Sequence, residues 1–183
     1  MTNKIELRGY QKNALDEIIK YHESNDIYSG LVVMPIASGK SFLIAHLVKY
    51  LNDNKLKVLI VQNRIEELDN NITNLKYCGI DGTIYSSSFK QKDISDATYT
   101  MFQMINKYNV QKLIDYKFDV IIIDDANYGY RPKTNKSFGS LFSSLKSRRV
   151  IGFTSDPYRP YAHGVINNVY ETLKVITRTV SLL

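Results

Sequence analysis

Short apolar runs alternate with amphipathic stretches along most of the chain. A repeat near 3.6 residues places apolar side chains on one face, so it predicts helices over 10–21, 41–51, 65–75 and 138–145. Residues 101–114 also have a mainly helical pattern. Continuous runs of β-branched and other apolar residues predict strands over 30–34, 58–61, 83–85, 120–123 and 150–153.

Strands that alternate with helices imply right-handed crossover connections and a mostly parallel central sheet. The pattern therefore predicts an α/β domain with helices packed on the sheet. In such folds ligands bind at the carboxyl ends of the strands. Two polar clusters, at residues 38–41 and at Asp124-Asp125, fall at predicted strand ends.

The length of 183 residues fits one domain with a single core. No apolar run is long enough to span a bilayer, and the N-terminus has no apolar stretch of the secretory kind. Cys78 is the only cysteine, so an internal disulfide is impossible and a reducing compartment is favoured. We therefore expect a cytoplasmic protein without a membrane partner.

The net charge of +6 is unevenly distributed. Residues 131–159 contain one acidic residue, Asp156, and a set of basic residues: Arg131, Lys133, Lys136, Lys146, Arg148, Arg149 and Arg159. A basic segment in an otherwise neutral chain is a candidate site for a phosphate backbone. A solvated basic surface without a partner is the alternative explanation.

Residues 34–41 read Met-Pro-Ile-Ala-Ser-Gly-Lys-Ser between a predicted strand and a predicted helix. This context is typical of a phosphate-binding loop. Gly39 allows the backbone to turn close to an anion, and the N–H groups of the helix N-terminus can then hold phosphate oxygens. Lys40 would reach the β and γ phosphates, and the Ser41 hydroxyl would bind Mg²⁺. An ordinary strand-to-helix turn is the alternative.

Asp124 and Asp125 follow the β-branched run that ends at Ile123. A carboxylate at this place can hold the water shell of Mg²⁺, and its neighbour can orient an attacking water. Two aspartates that merely cap a turn or helix are the alternative. Their placement after a phosphate loop, at the end of another core strand, favours the nucleotide site.

These motifs together resemble the N-terminal RecA-like ATPase domain of superfamily 2 DExH-type helicases, most closely the motor subunits of type I and type III restriction enzymes. The resemblance covers about residues 7–159. It implies a three-layer RecA-like (P-loop NTPase) fold, ATP and Mg²⁺ as ligands, and contact with a nucleic-acid backbone. DNA is the expected form, although backbone contacts carry no base identity.

The resemblance also implies roles for individual residues. Gln11, in the segment 7–14, would read adenine. The implied ATP-binding residues are Arg8, Gln11, Ile36, Ala37, Ser38, Gly39, Lys40 and Ser41; the catalytic residues are Asp125, Asp124 and Lys40; the magnesium ligands are Ser41 and Asp124. Nucleic-acid contact or coupling would involve Arg64, Gln103, Asn127, Thr154 and Arg159.

The chain departs from the family pattern near the reacting atoms. Ile36-Ala37 replaces Thr-Gly, Asp125 replaces Glu, and Asn127 replaces His. Residues 152–159 resemble motif III of the family, and Asp156 replaces its last Thr. Asp125 is one methylene shorter than Glu, and displacements of about 1 Å can cost ~100-fold in rate. Nucleotide and Mg²⁺ binding are therefore expected to be better preserved than hydrolysis.

A superfamily 2 motor has two RecA-like domains, and the second supplies an arginine finger. We assign residues 1–164 to the ATP-binding domain and 165–183 to a strand or linker that leads toward a second one. Two functional hypotheses follow. The chain is either the ATP-binding part of a helicase or translocase that hydrolyses little alone, or a catalytically degenerate module that acts through nucleic acid or a protein partner.

Overall fold

The computed structural model describes residues 6–24, 29–87, 91–126, 136–144, 149–156, 158–160, 166–168 and 173–178. The helices are α1 (Gly9–Glu23), α2 (Lys40–Asp53), α3 (Leu68–Tyr77), α4 (Val110–Tyr116) and α5 (Lys136–Ser144), with 3₁₀ turns at Ile65–Glu67 and Phe102–Met104. The strands are β1 (Ser29–Val33), β2 (Val58–Gln62), β3 (Thr83–Ser86), β4 (Gln91–Lys92), β5 (Ala97–Met101), β6 (Val120–Ile123), β7 (Arg149–Thr154), β8 (Tyr158–Pro160), β9 (Ile166–Asn168) and β10 (Leu173–Arg178).

Eight strands form one sheet in the order β10-β1-β7-β6-β2-β5-β3-β4. All neighbouring strands are parallel except the pair β3 and β4. Strands β8 and β9 form a separate antiparallel pair. The predicted α/β class with a mostly parallel sheet is confirmed.

Alternate residues of the central strands pack into two separate cores, one on each face of the sheet. Ile60 and Ile122 pack with α1, α2 and α3 on one face. Leu59 and Ile121 pack with α4 and α5 on the other. Strands buried on both faces need apolar side chains at every position, which explains the continuous runs in the sequence. The three-layer arrangement is therefore present.

The mainly helical prediction over residues 101–114 is wrong in its first half. Met101 ends β5, a strand that the sequence did not indicate, and the α-helix begins only at Val110. Strand β5 lies between β2 and β3 inside the sheet. Its Thr98 and Thr100 are fully buried, and their hydroxyls donate to the carbonyl oxygens of Ser95 and Tyr85. Satisfied threonine hydroxyls let a strand that reads as polar occupy the core.

Residues 173–178 contribute to the same sheet as strand β10. Strand β10 pairs in parallel with β1, in the register that joins Ser29 to Leu173. The division of the chain at residue 164 stays a prediction. In the described ranges, none of the helices combines the length and the apolar character that crossing a bilayer requires.

Candidate nucleotide site

The loop after β1 is held in a bent conformation by its own backbone. The Met34 N–H donates to the Thr154 carbonyl at 2.8 Å, which ties the start of the loop to the end of β7. The Ser38 N–H donates to the Pro35 carbonyl at 3.3 Å and closes a turn in which Ala37 has φ +62°. Gly39 has φ +77° and is the N-cap of α2. The loop therefore contains two left-handed residues, and one of them has a side chain.

Two side chains of helix α1 donate hydrogen bonds to the carbonyl groups of this loop. The Tyr10 hydroxyl donates to the Ser38 carbonyl at 2.8 Å, and Gln11 Nε2 donates to the same oxygen at 3.0 Å and to that of Gly39 at 3.4 Å. Gln11 Oε1 accepts from the Arg8 N–H at 2.8 Å. A Cβ atom on Gly39 would lie 2.5 Å from Gln11 Nε2, so another residue there would displace the Gln11 amide in addition to the cost of a φ of +77°.

The loop after β1 and the acidic pair after β6 lie close together because β7 alone separates β1 from β6 in the sheet. Lys40 Nζ lies 3.4 Å from Asp125 Oδ1, and both side chains are mostly buried, with exposures of 16% and 20%. Asp125 has φ +54°, and its N–H donates to Asp124 Oδ1 at 3.1 Å. The sequence-predicted lysine and acidic pair are therefore one contiguous group.

Asp124 is only 5% exposed, and its own N–H donates to the Val61 carbonyl at 2.9 Å. Burial raises the pKa of its carboxyl from the ordinary 3.8 to about 6, and the charge of Asp125 adds to the effect while Lys40 opposes it. Burial deprives this carboxylate of hydrating water, and a bound divalent cation could stabilise its negative charge instead.

Ser41 lies in the first turn of α2, next to Lys40, and is half-buried. Ile36 and Ala37 face solvent, Ile36 with an exposed fraction of 83%. Ser38 Oγ donates to the Pro35 carbonyl at 2.6 Å, so this side chain braces the turn. The structure thus assembles the predicted loop residues at one edge of the sheet, and their roles toward ATP stay predictions.

The end of β7 joins this edge through Thr154. Its buried hydroxyl donates to the Asp156 carbonyl at 2.7 Å, and the Asp156 N–H lies 3.1 Å from the same Oγ1 atom. Because the Thr154 carbonyl also accepts from Met34, the motif III segment and the start of the phosphate loop share one residue. A movement of either segment would therefore displace the other through Thr154.

Arg64 and Gln103 lie at a second position on this sheet edge, where β2 and β5 end. Both line one cavity at the carboxyl ends of these strands. The Arg64 carbonyl accepts from Gln62 Nε2 at 2.7 Å, and its guanidinium Nη1 lies 3.5 Å from Glu67 Oε1. The two residues predicted to contact nucleic acid, which follow β2 and β5, thus line the same cavity.

Other predicted residues are not placed. Asn127 lies outside the described residues, as do Arg131, Lys133, Lys146 and Arg148 of the basic segment. Arg159 is described only as part of β8. Sequence reasoning missed Tyr10, whose contact with the phosphate loop has no signal in the sequence beyond its place next to Gln11.

A family model described as "Type III restriction enzyme, res subunit" matches residues 4–159. Among proteins with curated descriptions, none matches the chain in sequence. Solved structures do match. The chain is similar to UvsW of bacteriophage T4, with 18% identity and a TM-score of 0.71 over 98% of this chain and 36% of that one.

Two further structures have the same fold. One is a nuclease-deletion mutant of the type ISP restriction-modification enzyme LlaGI with a DNA substrate mimic, at 17% identity and a TM-score of 0.68, over 96% of this chain and 20% of that one. The other is the Sulfolobus solfataricus SWI2/SNF2 ATPase core in complex with double-stranded DNA, at 19% identity and a TM-score of 0.64, over 84% and 33%. The chain thus spans about a fifth to a third of the length of these proteins.

Proposed function

Because the chain belongs to the family of the type III restriction enzyme res subunit, and so to the superfamily 2 helicase-type ATPases, we propose that it is the ATP-binding domain of a helicase or translocase. One observation carries the proposal. The ammonium group of Lys40 and the carboxylates of Asp124 and Asp125 come together beside the N-terminus of α2, although 85 residues separate Lys40 from Asp125.

The residues present fit Mg-ATP. The bent loop from Pro35 to Gly39 leads into the N-terminus of α2, where backbone N–H groups favour an anion. Lys40 would exchange its partner Asp125 for the β and γ phosphates. Ser41 and Asp124 would hold Mg²⁺, which prefers one or two protein oxygens together with phosphates and water. When bound, the ion neutralises charge that develops on the phosphates during transfer.

Hydrolysis by this chain alone is expected to be weak. Asp125 would orient the attacking water, but its carboxylate is short and lies within ion-pair distance of Lys40. A second RecA-like domain, in cis or in trans, would supply the arginine finger, which is worth about 10³–10⁵ in rate in related enzymes. The site described here would then serve mainly to bind and position the nucleotide.

Nucleic acid would lie along the carboxyl edge of the sheet, past Arg64 and Gln103. From their charge, Arg159 and the basic segment 131–159 would supply further phosphate contacts. The DNA complexes among the similar structures support this part of the proposal. Backbone contacts of this kind release counterions, so the logarithm of the affinity should fall linearly with the logarithm of the salt concentration. An affinity that does not change with salt would contradict the proposed contacts.

Titration calorimetry with Mg-ATP tests the nucleotide site. The variant Lys40→Ala should bind at least about tenfold more weakly, because a hydrogen bond to a charged group contributes about 1.5–3 kcal/mol. Lys49→Ala is the matched control. It removes the same charge from the same helix, but its partner is Asp53 on the exposed face. Equal affinities for the two variants, or no binding by the unaltered chain, would contradict the proposal.

A second candidate function is a degenerate binding or decoy module that acts through nucleic acid or a protein partner. The left-handed Ala37 and the short Asp125 favour it, since both stand where the chemistry needs close approach. Steady-state ATPase of Asp125→Glu, with a second domain supplied, separates the two. Restored turnover supports the enzyme; absence of turnover in every context supports the module.

A further inference from the structure

A cavity of about 250 Å³ opens at the carboxyl ends of β2, β3 and β5. Its floor is formed by Ser86, Met101 and Met104, all buried. Its volume lies below the roughly 300–1,000 Å³ typical of pockets that enclose drug-sized ligands. The cavity therefore suits a single flat heterocycle better than a complete nucleotide.

The rim of the cavity is polar and exposed. Asn63 and Gln103 provide amide groups, Arg64 a guanidinium and Glu66 a carboxylate. Amides and charged groups of this kind can pair with the donor and acceptor edges of bases. A floor with two methionines and a few convergent polar groups at the rim combines the apolar and polar contacts found in small-molecule sites.

The rim and the floor of the cavity are both fixed by hydrogen bonds. Asn71 Nδ2 donates to Gln62 Oε1 at 2.8 Å, and Gln62 Nε2 donates to the Arg64 carbonyl at 2.7 Å; Asn71 and Gln62 are 1% and 2% exposed. On the floor, Met104 Sδ accepts from the N–H and the hydroxyl of Ser87, each at 3.4 Å. A cavity held in this way exists before its ligand arrives, which reduces the cost of binding.

We propose that this cavity binds one unstacked nucleobase of a single strand whose phosphates pass along Arg64. The proposal rests on the proposed function, because it needs nucleic acid at this sheet edge. A base inside a duplex is stacked and paired and cannot enter, so the occupied cavity would mark a single strand or an opened duplex. The methionine side chains on the floor would contact the base, since thioether sulfur interacts favourably with aromatic rings.

The test compares two octanucleotides by fluorescence anisotropy. One is an octamer of thymidylate, and the other has the same phosphates but no bases. We expect the intact octamer to bind about tenfold more tightly, within the range that base contacts reach in single-strand binding proteins. The slopes against salt should be equal because the phosphates are equal in number. Equal affinities would overturn the base cavity and leave the proposed backbone contacts standing.

Two substitutions assign the effect to the cavity. Ser86→Phe fills the floor, so the ratio between the two affinities should fall to about one. Ser86→Ala keeps the space open and should retain a ratio of about ten. A ratio that persists in Ser86→Phe would place the base elsewhere and overturn the proposal. Thermal unfolding shows whether Ser86→Phe folds; if it does not, the comparison of octamers on the unaltered chain still decides. Binding of neither octamer would overturn both this inference and the proposed nucleic-acid contacts.

Discussion

Ala37 offers a direct test of the conformation of the phosphate loop. Its φ of +62° lies at the third residue of the turn that the Ser38 N–H closes, a position that type II turns normally give to glycine. For a residue with a Cβ atom the left-handed region costs roughly 1–2 kcal/mol. Ala37→Gly removes this cost. The greater conformational entropy that glycine gives to the unfolded chain opposes the gain, and lowers the free energy of unfolding by about 0.4–1 kcal/mol. We expect a net gain of about 1 kcal/mol in the free energy of unfolding.

Urea denaturation followed by circular dichroism measures this gain, and thermal unfolding should show a rise of about 2–4 °C for a domain of this size. Two controls fix the interpretation. Lys117→Gly, at another left-handed position with φ +60°, should also stabilise. Ala14→Gly, inside α1 and 1% exposed, should destabilise by about 1 kcal/mol. A loss of stability in Ala37→Gly similar to that in Ala14→Gly would refute the left-handed assignment.

Two further predictions concern stability. Without Mg²⁺, the unaltered chain should lose stability as pH rises from about 4 to 6, because Asp124 binds its proton more tightly in the folded state than in the unfolded state. Asp124→Asn has no such proton to lose. Its free energy of unfolding should therefore exceed that of the unaltered chain by about 3 kcal/mol above pH 6. Urea denaturation at several pH values measures this difference, and Asp81→Asn at an exposed position is the control. A difference in unfolding free energy between Asp124→Asn and the unaltered chain that does not change with pH would contradict the prediction. Gly30→Ala should cost about 1–3 kcal/mol, since its Cβ would meet the Ile176 side chain and lie 2.9 Å from Tyr21 Cε1. In a double-mutant cycle Ile176→Ala should relieve part of that cost, and additive costs would speak against this packing of β10 on β1.

The sequence predicted the strands whose buried positions carry apolar side chains. Strand β6 has the run Val-Ile-Ile-Ile and is buried at all four positions. Strand β5 is equally buried but reads Ala-Thr-Tyr-Thr-Met. Its threonines are accepted in the core only because the neighbouring strand β3 and the Ser95 turn offer them partners. Such partners come from tertiary structure, so the periodicity of β5 alone could not reveal it.

The candidate site was predictable in its residue types but not in its contacts. Motif spacing placed Lys40 and the two aspartates at strand ends, yet the 3.4 Å distance between Lys40 and Asp125 depends on the strand order β1-β7-β6. The cavity beside Arg64 depends on three strands ending side by side. Gln62 and Asn71 carried no functional signal in the sequence, because a buried amide is recognisable only by what it bonds to.

Unfavourable features concentrate at the same edge of the sheet. Ala37 and Asp125 carry a Cβ atom and have left-handed backbones, and Asp124 keeps a carboxyl group where burial opposes its charge. The cost of the ionised Asp124 alone corresponds to about 3 kcal/mol. A ligand at a hundred times its Kd returns about 2.7 kcal/mol, a similar amount. Lys55 and Lys117 are also left-handed, but they end α2 and α4 at the opposite edge, where Lys57 and Asp119 lead into β2 and β6. Strain at those turns serves chain reversal, whereas strained residues beside a desolvated carboxylate are a combination that clusters at ligand-binding sites, as the proposed nucleotide site requires.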